Sequence, residues 1–339
     1  MRPFRGPSST RVPLDACDQI YELFCRELGE TKDPSGYVLP DIEGEQLARD
    51  LYDEISRDHS NWTTAEKNEE FVKQIFTPKR RARIELAYTW VVKIMGDLFD
   101  RQEDFSSKEK AIIRSRIRKA QLQLPPPASI YSDTPHLLKK TDVSYERTPG
   151  GQLRLRVGGA YVLTAGSWFN LVYTMAHELA HAVDPCEIRM ARQSFPAYDH
   201  LTACFLDTRL IATRSTRAEC GRNDQLSEVF ADWVAVQVVA EALGGYATEF
   251  DSQQILSAAQ NSIRDLCDQS NPDDEFDLEL HPSPAIRIEI FRKNPRIREL
   301  LGCRPLEAEQ PYCTFNWTKP LTPHPAPPTT PGSAPSQNP

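Results

Sequence analysis

A short segment near the middle of the chain, Met175-Ala176-His177-Glu178-Leu179-Ala180-His181, constrains the fold more than any other feature of the sequence. Apolar residues recur around it at helical spacing, which predicts a helix over about residues 169–183. Two histidines four residues apart lie one turn apart on the same face of such a helix. Because polar groups that leave water need new partners, the segment predicts that its imidazoles and carboxylate meet a metal ion or other polar residues inside the protein.

The two histidines are spaced so that both imidazoles can bind a single metal ion, and imidazole is a preferred ligand of Zn²⁺. This is the physical content of the HExxH motif, in which His177 and His181 are the metal ligands. Glu178 stands beside the first histidine, where its carboxylate can contact a water on the metal instead of the metal itself. The motif therefore predicts a zinc site that activates water.

A catalytic zinc site needs a third protein ligand, and the sequence offers an acidic one on a downstream helix. No third histidine follows at the HxxGxxH spacing, so the metzincin pattern is excluded. Glu228 is the best-placed acidic candidate, on a helix predicted over about residues 225–243. Asp232 follows four residues later on the same face, where it can accept a hydrogen bond from a ligand histidine. Glu228 is therefore predicted to be the third ligand.

Three motifs in this order resemble those of the neprilysin-type zinc metallopeptidases, within the gluzincins. The HExxH segment is followed by Glu228-Val229-Phe230-Ala231-Asp232, which is similar to the ExxAD motif of that family. His281-Pro282-Ser283-Pro284-Ala285-Ile286-Arg287 is similar to a third motif, a histidine with a nearby proline and an arginine six residues on. Its prolines fall one and three residues after the histidine, where the family has one at two. The resemblance covers about residues 160–317, the catalytic half only. It includes Asp184, three residues after the second histidine.

The resemblance implies a zinc-dependent endopeptidase with a zincin-like domain that acts on peptide or protein substrates. The implied ligands of one Zn²⁺ ion per chain are His177, His181 and Glu228. The implied catalytic residues are Glu178, Asp232, His281 and Arg287. Glu178 would act as the general base, Asp232 would fix a ligand imidazole, and the other two would stabilise the developing oxyanion.

Two other classes of function stay open on the sequence. One is a catalytically silent interaction module on a peptidase fold, which would bind zinc and peptide without cleaving the peptide. The other is a nucleic-acid protein that uses the basic residues within 79–83 and 114–119, which we interpret as solvated helix faces. A formal net charge of −8 argues against nucleic acid as the main partner, because phosphates favour an excess of lysine and arginine.

The whole chain is predicted to be α+β and mostly α. Pro125-Pro126-Pro127 ends helix formation and marks a boundary, because proline lacks the backbone N–H that a helix needs. Four parts are predicted: a flexible arm (1–13), a helical N-terminal region (14–124), a zincin-like metallopeptidase domain (126–318) and a Pro-rich disordered tail (319–339).

Alternating residues after the proline block predict a small sheet beside the HExxH helix. The runs Val143 to Arg147 and Gln152 to Val157, joined by Pro149-Gly150-Gly151, predict a hairpin. A third short run, Tyr161 to Thr164, is expected to extend it. The strand at 152–164 is predicted to pair with an extended peptide by β-augmentation. A last helix is predicted from about Pro284 to Leu301.

The cysteines and the ends of the chain bear on the compartment. None of the 8 cysteines forms a CxxC pair, which excludes zinc ribbons, and an even number permits disulfides. Together with the resemblance, Cys303 and Cys313 favour disulfides in a periplasmic or secreted protein. No apolar segment of the signal-peptide kind follows Met1. No run of about 18 uncharged apolar residues occurs, so no membrane span is predicted.

Overall fold

The computed structural model describes a mostly helical protein with one small sheet, in agreement with the predicted α+β class. The described residues are 17, 44–124, 143–164, 167–211, 220, 225–266, 281–304, 306 and 312–315. The predicted flexible arm and Pro-rich tail lie outside them. Within the described ranges, no helix has the length and apolar character needed to cross a membrane.

Four helices form the described part of the N-terminal region: α1 Gly44–Asp58, α2 Thr64–Ile75, α3 Pro78–Arg101 and α4 Ser107–Lys119. Helices α2 and α4 begin at capping boxes, in which Thr63 and Ser106 accept a backbone amide and a glutamate three residues on accepts one in return. Helix α3 buries one face at helical spacing, from Ile84 to Phe99, and packs that face against the HExxH helix.

Three strands form the sheet, in the order β1-β3-β2: β1 Gln121–Gln123, β2 Val143–Arg147 and β3 Leu153–Val157. Strand β2 is antiparallel to β3 and β1 is parallel to it. The predicted hairpin is thus confirmed. Its turn contains Gly151 at φ +77°, a conformation in which a residue without Cβ carries no steric penalty.

Two predictions about this region are wrong. The run Tyr161 to Thr164 does not extend the sheet but belongs to helix α5, Gly159–Thr164, which packs against α1. Ala160, Tyr161 and Val162 are all buried, so the alternation of a half-buried strand is absent, and tertiary packing overrides the strand preference of Tyr161 and Val162. The predicted helical run to residue 124 ends at Lys119, and Gln121–Gln123 supply the third strand instead.

Seven further α-helices follow α5 in the described part of the chain: α6 Trp168–Ala180, α7 Pro185–Met190, α8 Pro196–Asp207, α9 Gln225–Gly245, α10 Ser252–Ser262, α11 Pro284–Lys293 and α12 Pro295–Leu300. A short 3-10 helix, Arg264–Leu266, lies between α10 and α11. Helices α6 and α9 are buried over most of their surface and pack along each other, with α3 and α10 against α6. They correspond to the two helices predicted to carry the site residues.

The single helix predicted from Pro284 to Leu301 is also wrong, because it is interrupted at Asn294. Pro295 has no N–H to continue the hydrogen bonding of α11. The Asn294 side chain accepts the backbone amides of Arg296 and Ile297, each at 3.0 Å, and so begins α12.

Among the described residues, three disulfides connect distant parts of the chain: Cys17–Cys303, Cys186–Cys220 and Cys204–Cys313. Cys303 and Cys313, expected to be oxidised, are both bridged, although to residues far upstream. The carbonyl of Cys313 accepts a hydrogen bond from Trp233 Nε1 at 3.0 Å, which ties the bridge to α9. These bridges are compatible with an extracytoplasmic protein.

Of the described bridges, the one that spans the most residues should contribute the most stability. The Cys17–Cys303 and Cys186–Cys220 bridges span 286 and 34 residues. Loop-closure entropy predicts that alanine at both positions of the first pair lowers the free energy of unfolding by ~2 kcal/mol more than alanine at both positions of the second. Denaturant titration of the two double variants measures this difference. An equal or larger loss for Cys186–Cys220 would contradict the entropic explanation.

Candidate metal centre

Three histidines converge on one carboxylate oxygen, Oε2 of Glu228. His177 and His181 come from the C-terminal end of α6, and their Nε2 atoms lie 3.2 Å and 3.7 Å from that oxygen. His281, just before α11, brings its Nε2 to 2.9 Å. Glu228 is in the first turn of α9. The close packing of α6 on α9 thus brings together the two HExxH histidines and the acidic residue predicted as third ligand.

The Glu228 oxygen at the centre of this cluster lacks a hydrogen-bond donor and is placed to bind a cation. Oε2 of Glu228 is buried and has no donor in hydrogen-bond geometry, despite the three imidazoles around it. The ligand atoms of His177, Glu228 and His281 lie within 4.8 Å of one another, so this group could hold a metal ion. Imidazole nitrogens with one carboxylate are a donor set that Zn²⁺ favours.

The Glu228 carboxyl is electrostatically adapted to cations. Burial raises its pKa, but the three neighbouring histidines outweigh that effect and hold the pKa well below its ordinary value. Glu228 is therefore ionised, as a ligand carboxylate must be.

Asp232 orients His177 from behind. It is fully buried on α9, one turn after Glu228, and its Oδ1 lies 2.9 Å from Nδ1 of His177. With Nδ1 donating to this carboxylate, Nε2 faces Glu228. Tyr173 also donates its hydroxyl to Asp232 at 2.8 Å. Burial alone lowers the pKa of His177, but the nearby carboxylates of Asp232 and Glu228 raise it overall, to about 10.

Arg287 completes the group around Asp232. Its Nε and one terminal nitrogen donate to the two carboxylate oxygens at 2.7 Å and 2.8 Å. The arginine is buried, and burial by itself lowers its pKa, but Asp232 raises it overall. The guanidinium thus lies behind His177 and not among the groups around the Glu228 oxygen. Its predicted contact with an oxyanion stays a prediction.

A second carboxylate orients His181, and sequence reasoning missed the residue that connects them. Ser227 donates its hydroxyl to Asp184 at 2.6 Å, and its Oγ lies 3.1 Å from Nδ1 of His181. Asp184 Oδ2 lies 3.4 Å from the same nitrogen. Asp184 also begins α7, by accepting the amide of Glu187 at 2.6 Å. The signal for Ser227 is weak, because it is one small polar residue immediately before Glu228, on a helix that carries several other polar residues.

Glu178 faces the sheet. Its Oε2 accepts the backbone N–H of Tyr145, on β2, at 2.7 Å. Burial raises its pKa, against the opposing effect of the two histidines on its helix. The predicted peptide-binding strand must be corrected here. Leu153–Val157 is the central strand, paired on both sides, so the edge beside Glu178 belongs to β2.

The N-terminal region reaches the site through a residue that we interpreted from sequence as part of a solvated face. Arg116, on α4, is instead largely buried and donates to the carbonyl of Ala182 and to the Glu187 carboxylate. Arg147, at the end of β2, lies 3.0 Å from the same carboxylate. Helix α4 and strand β2 therefore hold the turn that follows His181.

The arrangement combines a metal-binding donor set with a nearby carboxylate that can accept a proton. The His177 side chain is 6% exposed, whereas the His281 side chain is 44% exposed, so the cluster is open to solvent on the His281 side. Such a combination is suited to metal-assisted hydrolysis. Comparisons of the chain with protein-family models, with curated proteins and with solved structures find no match.

Proposed function

We propose that this chain is a zinc-dependent endopeptidase with a zincin-like catalytic domain, of the neprilysin type that its three motifs resemble. One observation carries the proposal. Glu228, chosen from sequence as the third ligand, has its Oε2 within 3.7 Å of Nε2 of both HExxH histidines. The residues lie on different helices, so sequence spacing alone does not require them to meet.

In this proposal His177, His181 and Glu228 hold the metal. Zinc bound there would lower the pKa of a water and polarise a peptide carbonyl. Glu178, next to His177 on α6, accepts the proton of the attacking water and delivers it to the leaving amine. Burial raises the pKa of Glu178, which makes its carboxylate a better acceptor of the proton from water and lets it hold that proton until the amine leaves. Asp232 and the Ser227–Asp184 pair keep the two imidazoles in place.

The outer edge of β2, with which no other strand of the described residues pairs, supports an extended peptide as the substrate. The Tyr145 N–H points away from β3 and towards Glu178, and the groups of a strand alternate in direction. Val143 and Arg147 therefore present backbone groups on the same side. A substrate strand that pairs there would pass beside the general base. The three disulfides favour a periplasmic or secreted location for this activity.

Metal analysis together with a peptide-library digest tests the proposal. We expect one equivalent of zinc in the purified protein and cleavage at internal peptide bonds. A chelator should abolish that cleavage, and added zinc should restore it. Zinc and peptide binding without cleavage would instead support the silent interaction module. A protein that binds no zinc would contradict both.

A further inference from the structure

His281 lies nearer to Glu228 than either histidine of the HExxH motif does. Its Nε2 is 2.9 Å from Oε2 of Glu228, against 3.2 Å for His177 and 3.7 Å for His181. A cation bound to that oxygen would therefore lie close to the His281 nitrogen as well. The residues whose ligand atoms lie mutually within 4.8 Å are His177, Glu228 and His281.

The orientation of the His281 ring agrees with direct metal binding. The His177 and His281 rings are 6.2 Å apart and inclined by only 25°, with both Nε2 atoms turned towards Glu228. The position is held from the C-terminal side, because Arg287 on α11 is anchored to buried Asp232. The backbone before α11 thus fixes where the imidazole can reach.

The surroundings of His281 differ from those of the other two histidines. Its side chain is 44% exposed, against 6% for His177 and 12% for His181. It precedes a helix, whereas the other two lie at the end of buried α6. Its imidazole can therefore leave the cluster towards solvent without disturbing the packing of α6 on α9.

We infer that His281 is a displaceable fourth ligand of the metal, an inference that rests on the proposed function. In the resting protein its Nε2 takes the coordination position that a catalytic zinc site must keep for water. Binding of an extended peptide along β2 displaces the imidazole to the solvent side and opens that position. One neutral donor replaces another, so the exchange changes no charge. The metal is thus protected from water until substrate arrives.

Cobalt substitution tests this ligand directly. The protein is freed of metal and loaded with Co²⁺, whose visible absorption reports the number and type of ligands. Relative to the wild type, we expect the visible absorption of His281→Ala to change, because water replaces one imidazole ligand, and imidazole in the buffer to restore the wild-type spectrum. Zinc affinity, measured by competition with a chelator, should fall by roughly 10–100-fold or more. That is the loss seen when a residue that only hydrogen-bonds a metal ligand is removed.

Two further variants make the test specific. His281→Gln retains an N–H donor that can reach Glu228 or an oxyanion but offers a poor metal ligand, so it should behave as His281→Ala does. His200→Ala, at an exposed position on α8, is the matched control and should match the wild type. A Co²⁺ spectrum and zinc affinity that His281→Gln leaves unchanged would overturn the inference. Chelator-sensitive peptide cleavage in that case would leave the proposed function standing, whereas a wild type that binds no Co²⁺ would end both.

Discussion

Substitution of Glu178 by glutamine is expected to lower peptide hydrolysis by roughly 10³-fold, the scale of a lost general acid–base catalyst. Glutamine has the same shape, and its carbonyl oxygen can still accept the Tyr145 N–H that now bonds Glu178 at 2.7 Å. It has no carboxylate to take a proton from water. The three proposed ligands are untouched, so zinc content should equal that of the wild type.

The measurement compares turnover of a cleaved library peptide and zinc content in the same preparations. Glu85→Gln, at an exposed position on α3, provides a control with the same chemical change and should leave both unaltered. Retained turnover in Glu178→Gln would remove Glu178 from the reaction. Loss of both activity and zinc would mean that the side chain helps to hold the metal, which would contradict its role as a base.

Asp232→Asn is expected to lower the free energy of unfolding by about 3–5 kcal/mol, because it leaves a buried cation without its counter-ion. Asp232 is fully buried, and the Arg287 side chain is 7% exposed. Asparagine keeps one acceptor oxygen but carries no charge. It also weakens the contact that orients His177, so zinc affinity should fall together with stability.

Denaturant titration with and without zinc separates these two effects. Asp97→Asn is the matched control, because Asp97 pairs with Lys93 at 2.7 Å on the surface, where both side chains are more than half exposed. Asp97→Asn should lower the free energy of unfolding by less than about 1 kcal/mol. The double variant Asp232→Leu with Arg287→Met removes both members of the pair, so neither Asp232 nor Arg287 is left as an unpaired buried charge, and part of the stability should return. A loss for Asp232→Asn as small as that of the control would contradict the expected cost of leaving Arg287 buried without its counter-ion.

Sequence alone predicts the parts of this protein that depend on regular patterns. Apolar periodicity over many residues predicts α6 and α9, and alternation around a glycine turn predicts the β2–β3 hairpin. The contact between Asp232 and His177 follows from placing their two motifs on helices that pack together. In each case the signal is long, or it consists of residue types that are costly to bury alone.

What sequence misses is short or depends on tertiary contacts. Strand β1 has only 3 residues, and its partner β3 lies about 30 residues further along the chain, so no local pattern marks it. Arg116 belongs to a basic run that a solvated helix face would equally explain, and only packing brings it to Glu187. The role of Ser227 depends on the direction of one hydroxyl.

The long-range disulfides have a consequence for the fate of a damaged chain. A single backbone cut anywhere between residues 17 and 303 would leave both fragments covalently joined through the Cys17–Cys303 bridge. The Cys204–Cys313 bridge extends this protection to residue 313. A molecule nicked by a neighbouring protease would therefore keep its site-bearing helices in one covalent piece. The nick would become visible on a denaturing gel only after the sample is reduced.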